Sequence, residues 1–145
     1  MKKLVLLALL ALSVLMLHST SLATWDDAKG RAVAPFWQSV GVWYTMIVFV
    51  NGSEDAYDTI YVRFCDVHGN FSSDTHQDMF SIRPGEQLIV STKPGVGYSM
   101  VISAFYGYIQ FRADAGGHIH AYPLIYNEQT GGGFVVPVYN QDFGF

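Results

Sequence analysis

Apolar positions crowd one stretch of the chain, residues 41–50, which reads Gly-Val-Trp-Tyr-Thr-Met-Ile-Val-Phe-Val and closes on Asn51-Gly52. β-Branched and aromatic residues suit a pleated backbone, and Asn-Gly is a turn signal. Because the run is apolar at odd and even positions alike, it predicts a central strand, covered on both faces or set in the middle of its sheet. Trp43 and Tyr44 then belong to the core, and an aspartate at Val48 is expected to unfold the domain by burying an unpaired charge. Residues 57–67 alternate instead. Ile60, Val62 and Phe64 fall on one side, and Thr59, Tyr61, Arg63 and Cys65 on the other, as in a strand with one buried face.

Shorter β-rich runs follow at 79–82, 87–91, 98–106, 108–113, 118–126 and 134–139. Turn signals separate them. Arg83-Pro84-Gly85-Glu86 has Pro and Gly at the central positions of a type II turn. Gly107 reads as a kink or bulge between two strands. Pro123 and Pro137 point to edge positions or bulges, because each removes a ladder donor. Nothing sustains a 3.6-residue period. About eight strands result, which predicts an all-β, two-layer antiparallel β-sandwich of immunoglobulin-like or jelly-roll type.

The N-terminus changes the count of residues available to that fold. Lys2 and Lys3 precede an apolar run from Leu4 to Leu17, and Ser21 and Ala23 put small residues before a cut at Thr24. This is the anatomy of a secretory signal peptide, and the run is short of the ~20 residues of a transmembrane helix. An uncleaved anchor is the alternative. Residues 1–23 are therefore read as a signal peptide, 24–40 as an irregular lead-in broken by Gly30 and Pro35, and 41–145 as the sandwich domain. Removing 23 residues from 145 leaves 122, enough for one domain with a core of its own.

Of 8 basic residues two leave with the leader, so 6 face 12 acidic ones, a net charge of −6 with His neutral. With no Lys/Arg cluster, this balance excludes nucleic acid and anionic membrane surfaces as partners; the membrane enters only through the export signal. Cys65 is the only cysteine. It cannot close a disulfide within the chain, so it is either a buried small hydrophobe or a thiol for an intermolecular bond.

Trp43-Tyr44-Thr45 entering an apolar strand, the run Phe64-Cys65-Asp66-Val67-His68-Gly69-Asn70, and the turn Arg83-Pro84-Gly85-Glu86 together resemble secreted bacterial β-sandwich domains of immunoglobulin-like or jelly-roll type. The likeness spans about half of the mature chain. It implies a fold and an extracellular setting, and it carries no functional residues. A second likeness competes. Phe145, Phe143, Gln141 and Tyr139 alternate up to the last residue, which resembles the terminal signal of a small outer-membrane β-barrel. Pro137, Gly144, short strands and the two-faced apolar stretch oppose it.

Candidate chemistry is sparse. His118 and His120 stand two apart on a predicted strand, so they share a face and form the candidate metal pair. A third ligand would come from His68, His76, Asp66 or Asp114. Glu54, Asp55 and Asp58 form an acidic turn without the spacing of a calcium loop. No nucleophile elbow, phosphate loop, dinucleotide fingerprint or haem motif is present, so the sequence points to no cofactor and to a protein that is not an enzyme. The aromatic excess, 15% of the chain, says more. Tyr98, Tyr106, Tyr108, Tyr122 and Tyr126, with Tyr139, sit where alternation or strand ends expose tyrosines, as in a contact surface. The sequence thus predicts a secreted or cell-surface subunit acting in binding or assembly, by self-association or, as the alternative, as a monomeric module for carbohydrate or another ligand.

Overall fold

The computed structural model describes residues 29–71, 78–100, 102, 104–114 and 118–140. The expected leader lies outside them. Within them the chain forms ten strands and no helix: β1 (Gly30–Gln38), β2 (Trp43–Asn51), β3 (Asp58–Asp66), β4 (Asp78–Ile82), β5 (Gln87–Ser91), β6 (Tyr98–Ser99), β7 (Tyr106–Ala113), β8 (Ile119–Asn127), β9 (Gly132–Val135) and β10 (Tyr139–Asn140). They build two five-stranded sheets. The first has the order β10-β1-β7-β3-β4, the second β6-β5-β2-β8-β9. All neighbours run antiparallel except β5 and β6. The sandwich expectation holds. The barrel reading is corrected, because two separate sheets pack face to face where a barrel would close one sheet on itself.

Alternation decides which side chains line the space between the sheets. From the first sheet come Ala32, Ala34, Trp37, Ile60, Val62, Phe64, Ile82, Ile109, Phe111 and Ala113; from the second, Ile47, Phe49, Leu88, Val90, Ile119 and Ile125. Phe49 meets Phe111 edge-on across the layers, with ring centroids 5.5 Å apart. Trp37 meets Phe64 in the same manner at 5.2 Å. Each such pair contributes about 1 kcal/mol beyond the area it buries.

Buried polar side chains tie the layers where the chain turns. Thr45 Oγ1 donates to the Gln38 carbonyl at 2.9 Å and accepts from the Gln38 amide at 3.0 Å, fixing the corner between β1 and β2. At the other end of β2, Asn51 Nδ2 donates to the carbonyls of Ala56 and Ile82 while its Oδ1 accepts from the Ser53 amide. The Arg83–Glu86 turn forms as expected: the Glu86 amide donates to the Arg83 carbonyl, and Gly85 takes the positive φ, +69°, that a type II turn requires.

Several expectations are corrected. The part of the supposed lead-in from Gly30 to Gln38 is β1, an interior strand between β7 and β10. Its register slips between Ala34 and Trp37, so Pro35 sits in a bulge and costs no ladder bond. Of the predicted strand 98–106, Tyr98 and Ser99 form β6 and Tyr106 already opens β7, while residues 101 and 103 lie outside the described residues. Gly107 lies inside β7, and the predicted strand 134–139 is divided between the two sheets at residues 136–138. β8 is no edge strand either. Pro123 stands opposite Ile47, and its carbonyl accepts from the Val136 amide. Its missing donor therefore points toward β9, beyond that strand's last residue. Finally, Val48 is not in the core: it faces outward and is half-buried.

Cys65 is free and 1% exposed. Burial pushes its thiol above the ordinary range, partly offset by a hydrogen bond with Tyr108. The thiolate is the reactive species, so native protein should resist a thiol-reactive disulfide reagent, with labelling appearing only as urea unfolds the chain. Stoichiometric labelling of the native state within minutes would contradict this burial.

Candidate binding face

The outer face of the second sheet is the unusual surface. Its central strand, β2, turns Trp43, Thr45, Ile47, Phe49 and Asn51 inward, so Tyr44, Met46, Val48 and Val50 point away from the core. In register, Val48 lies between Ile89 of β5 and Tyr122 of β8. Met46 opposes Leu124, which in turn opposes Val135 of β9, and Tyr44 opposes Tyr126. Gln87 and His120 flank Val50. No Asp, Glu, Lys or Arg occupies any of these positions. Large apolar surface stays open there: Ile89 is 37% exposed, Tyr122 49% and Val135 60%. An outward face normally carries the polar half of the alternation, and here it does not.

A cleft of about 260 Å³ opens at the Tyr44 end of this face, lined by residues of the β1–β2 corner, Thr92-Lys93-Pro94 and Glu128. Lys93 Nζ lies 2.6 Å from Glu128 Oε1 and 5.2 Å from the centroid of the Tyr44 ring. The Tyr126 ring braces Tyr44 at 5.4 Å.

The opposite, outer face of the first sheet is polar by comparison. It carries Arg31, Arg63 and Arg112, with Arg31 directly across from Arg112. Arg63 lies over the Phe71 ring, and the Tyr61 hydroxyl donates to Asp114 Oδ2 at 3.3 Å. Three of the chain's 8 basic residues are thus segregated from the uncharged face.

The structure separates the five predicted surface tyrosines. Tyr122 and Tyr126 share the uncharged face. Tyr108 lies on the first sheet beside Cys65. Tyr106 opens β7 opposite Gln38. Tyr98 packs on Phe80 at 5.3 Å, closing the gap between the β6 and β4 edges. Sequence reasoning missed Tyr44, Met46, Val48 and Ile89 as surface residues. The signal was present in the even positions of β2, which the two-faced pattern assigned to the interior.

His118 and His120 are both exposed at the start of β8. The His118 carbonyl accepts from the Gly52 amide, placing the pair at the Asn51 end of the second sheet. Asp66 and His68 lie at the other end of the sandwich, beside Gly107 and the β1–β2 corner. The Asp66 carboxylate already accepts from the amides of His68 and Asn70 and from Asn70 Nδ2. These bonds, the Asn70 side chain foremost, hold Asp66 below the ordinary carboxylate range. Asp114 is engaged by Tyr61, and His76 lies outside the described residues. Among the described residues no three His, Cys, Asp or Glu side chains stand close enough to hold a metal ion.

No family model matches the sequence, and no curated protein matches it. Among solved structures the chain is similar to the crystal structure of Thermotoga maritima 1070, with a TM-score of 0.46 and 11% identity, over 81% of this chain and 94% of that one.

Proposed function

We propose that this protein is a secreted or cell-surface, non-catalytic subunit that acts by assembly, pairing with a second copy through the outer face of its second sheet. One observation carries the reading: the charge-free, partly apolar grid centred on Val48, Met46, Tyr122 and Leu124. Such a face is costly to leave in water and cheap to desolvate, since burying it strands no charge. The rest of the mature chain is acidic, so two copies approach with least repulsion where neither bears charge. A neutral sheet face complements itself, because two such faces can pack aligned about 10 Å apart. The basic-start leader and the small residues at Ser21 and Ala23 support export.

The open face is at the small end of specific interfaces, which bury about 800 Å² per partner, so the dimer is expected to be weak, with Kd in the range of about 10–100 µM. Sedimentation of residues 24–145 should show a concentration-dependent monomer–dimer equilibrium, and Val48→Asp should weaken it at least about tenfold. A wild-type chain that stays monomeric at millimolar concentration overturns the proposal.

A further inference from the structure

We propose that β9 is an assembly edge, and that a second copy of the chain adds its own β9 there, antiparallel, about a two-fold axis at Phe134. β9 ends the second sheet, and all four of its residues are exposed. Sheet edges are ordinarily guarded by shortness, charge or proline, which keep other strands away. Among the described residues, the edge strands β6 and β10 are only two residues long, and β4 carries Asp78. β9 is twice as long as β6 or β10. From Gln129 to Asn140 there is no Asp, Glu, Lys or Arg, and the one proline, Pro137, comes after the strand.

The ladder shows which backbone groups this edge offers. The Val136 amide donates to the Pro123 carbonyl, and in an antiparallel pair only alternate residues bond to the neighbouring strand. Gly132 and Phe134 therefore bond to β8, while the amides and carbonyls of Gly133 and Val135 point away from it. Among the described residues no strand stands beyond them. Such a row of donors and acceptors recognises an extended segment, which joins the sheet as a further strand.

The side chains make that segment a second β9. With Phe134 on the axis, Gly133 meets the partner's Val135 and Val135 meets the partner's Gly133. Each meeting exchanges two backbone hydrogen bonds, so every outward group of both residues is used. Phe134 stands opposite the buried Ile125, which puts its ring on the core side of the sheet, yet it is 50% exposed because no strand covers it. At the axis the two rings come together, where directly opposed side chains approach most closely. On the outer face, Val135 lies beside a glycine that has no side chain to obstruct it. Gly133 is itself fixed, since a Cβ there would stand 2.3 Å from the Ile125 carbonyl oxygen, so β9 is held in place before a partner arrives. Two copies of an acidic chain also meet with least repulsion along an uncharged edge. The contact uses backbone groups that pairing of the faces leaves open, so it stands whether or not the faces pair. Where both operate, each copy has two self-complementary patches and association is open-ended.

The test uses residues 24–145 with Val48→Asp, which weakens pairing of the faces and leaves the edge intact; the face pairing itself is read from sedimentation of the wild type. In this background Phe134→Cys should oxidise to a disulfide-linked dimer at least about tenfold faster than Tyr57→Cys, an exposed position in the loop before β3. Adding Val135→Pro removes an outward donor and no bond to β8, and should bring the rate down to that of Tyr57→Cys. Without the cysteines, the amide NMR signals of Gly133 and Val135 should move with protein concentration, with Kd of about 1 mM, while that of Phe134, already bonded to β8, moves less. Equal rates for the two cysteine variants, a rate indifferent to Val135→Pro, or amide signals that move only when an extended peptide of another sequence is added overturns the proposal.

Discussion

Phe49→Asp should leave no folded domain, while Val48→Asp, one residue earlier, should melt as cooperatively as the wild type. Phe49 is fully buried between the sheets and packs on Phe111. Removing the ring costs about 3–5 kcal/mol. The carboxylate left in its place would sit in an apolar cluster, and burying it adds several kcal/mol more. Together these reach the total stability of a domain this size, about 5–15 kcal/mol. Val48 points outward, half-exposed, between Ile89 and Tyr122. An aspartate there reaches water and loses about 1 kcal/mol of strand preference. Far-ultraviolet circular dichroism with thermal melting reads both. A folded Phe49→Asp chain, or an unfolded Val48→Asp chain, would invert the assignment of the two faces of β2.

Gly107→Ala should be nearly as damaging, although it adds one methyl group. Gly107 lies opposite Trp37 in β1 and Asp66 in β3. A Cβ there would stand 1.8 Å from the Cys65 carbonyl oxygen and within 2.9 Å of two backbone carbons of β3. Backbone in the middle of a sheet cannot swing aside as a side chain can. The Trp37 indole donates to that same Cys65 carbonyl at 2.8 Å, so relieving the clash breaks a buried hydrogen bond as well. The expected loss is about 3 kcal/mol or more. Gly85→Ala is the control: its φ is positive but nothing lies within 4 Å of the added methyl, so only about 1 kcal/mol of backbone strain is expected. Urea midpoints measure both, and equal shifts would show that the β3–β7 approach is looser than it stands.

Much of the fold was legible because its signals are local. The alternation of Ile60, Val62 and Phe64, the Pro-Gly turn at 84–85 and the apolar run of β2 each fix a strand or a turn within a few residues. β1 was hidden because its inward residues Ala32 and Ala34 are small, and because Pro35 reads as a breaker unless a bulge removes it from the ladder. Pro123 misled for a related reason: the side to which its missing donor points is set by register with β2, which no single segment encodes. The surface tyrosines were found one at a time, yet their grouping depends on sheet assignment. Tyr122 and Tyr126 join Tyr44 only because β8 pairs with β2, and Tyr108 departs because β7 pairs with β3. The uncharged face escaped notice because an apolar outward position looks the same in sequence as an apolar inward one.

The place of β1 also bears on how quickly the domain forms. It is the first strand among the described residues, yet its two neighbours, β7 and β10, come from the second half of the chain, β10 being the last strand described. Closing such loops costs entropy before any contact repays it. Chains dominated by pairings of this span fold in about milliseconds to seconds, where local topologies take microseconds. Until β7 is available β1 stays unpaired on both edges, and until β10 follows the first sheet stays incomplete. A chain released in part from its site of synthesis therefore carries β1 with both edges open, a template for pairing with another chain. The fold delays its commitment until nearly all of the polypeptide has emerged.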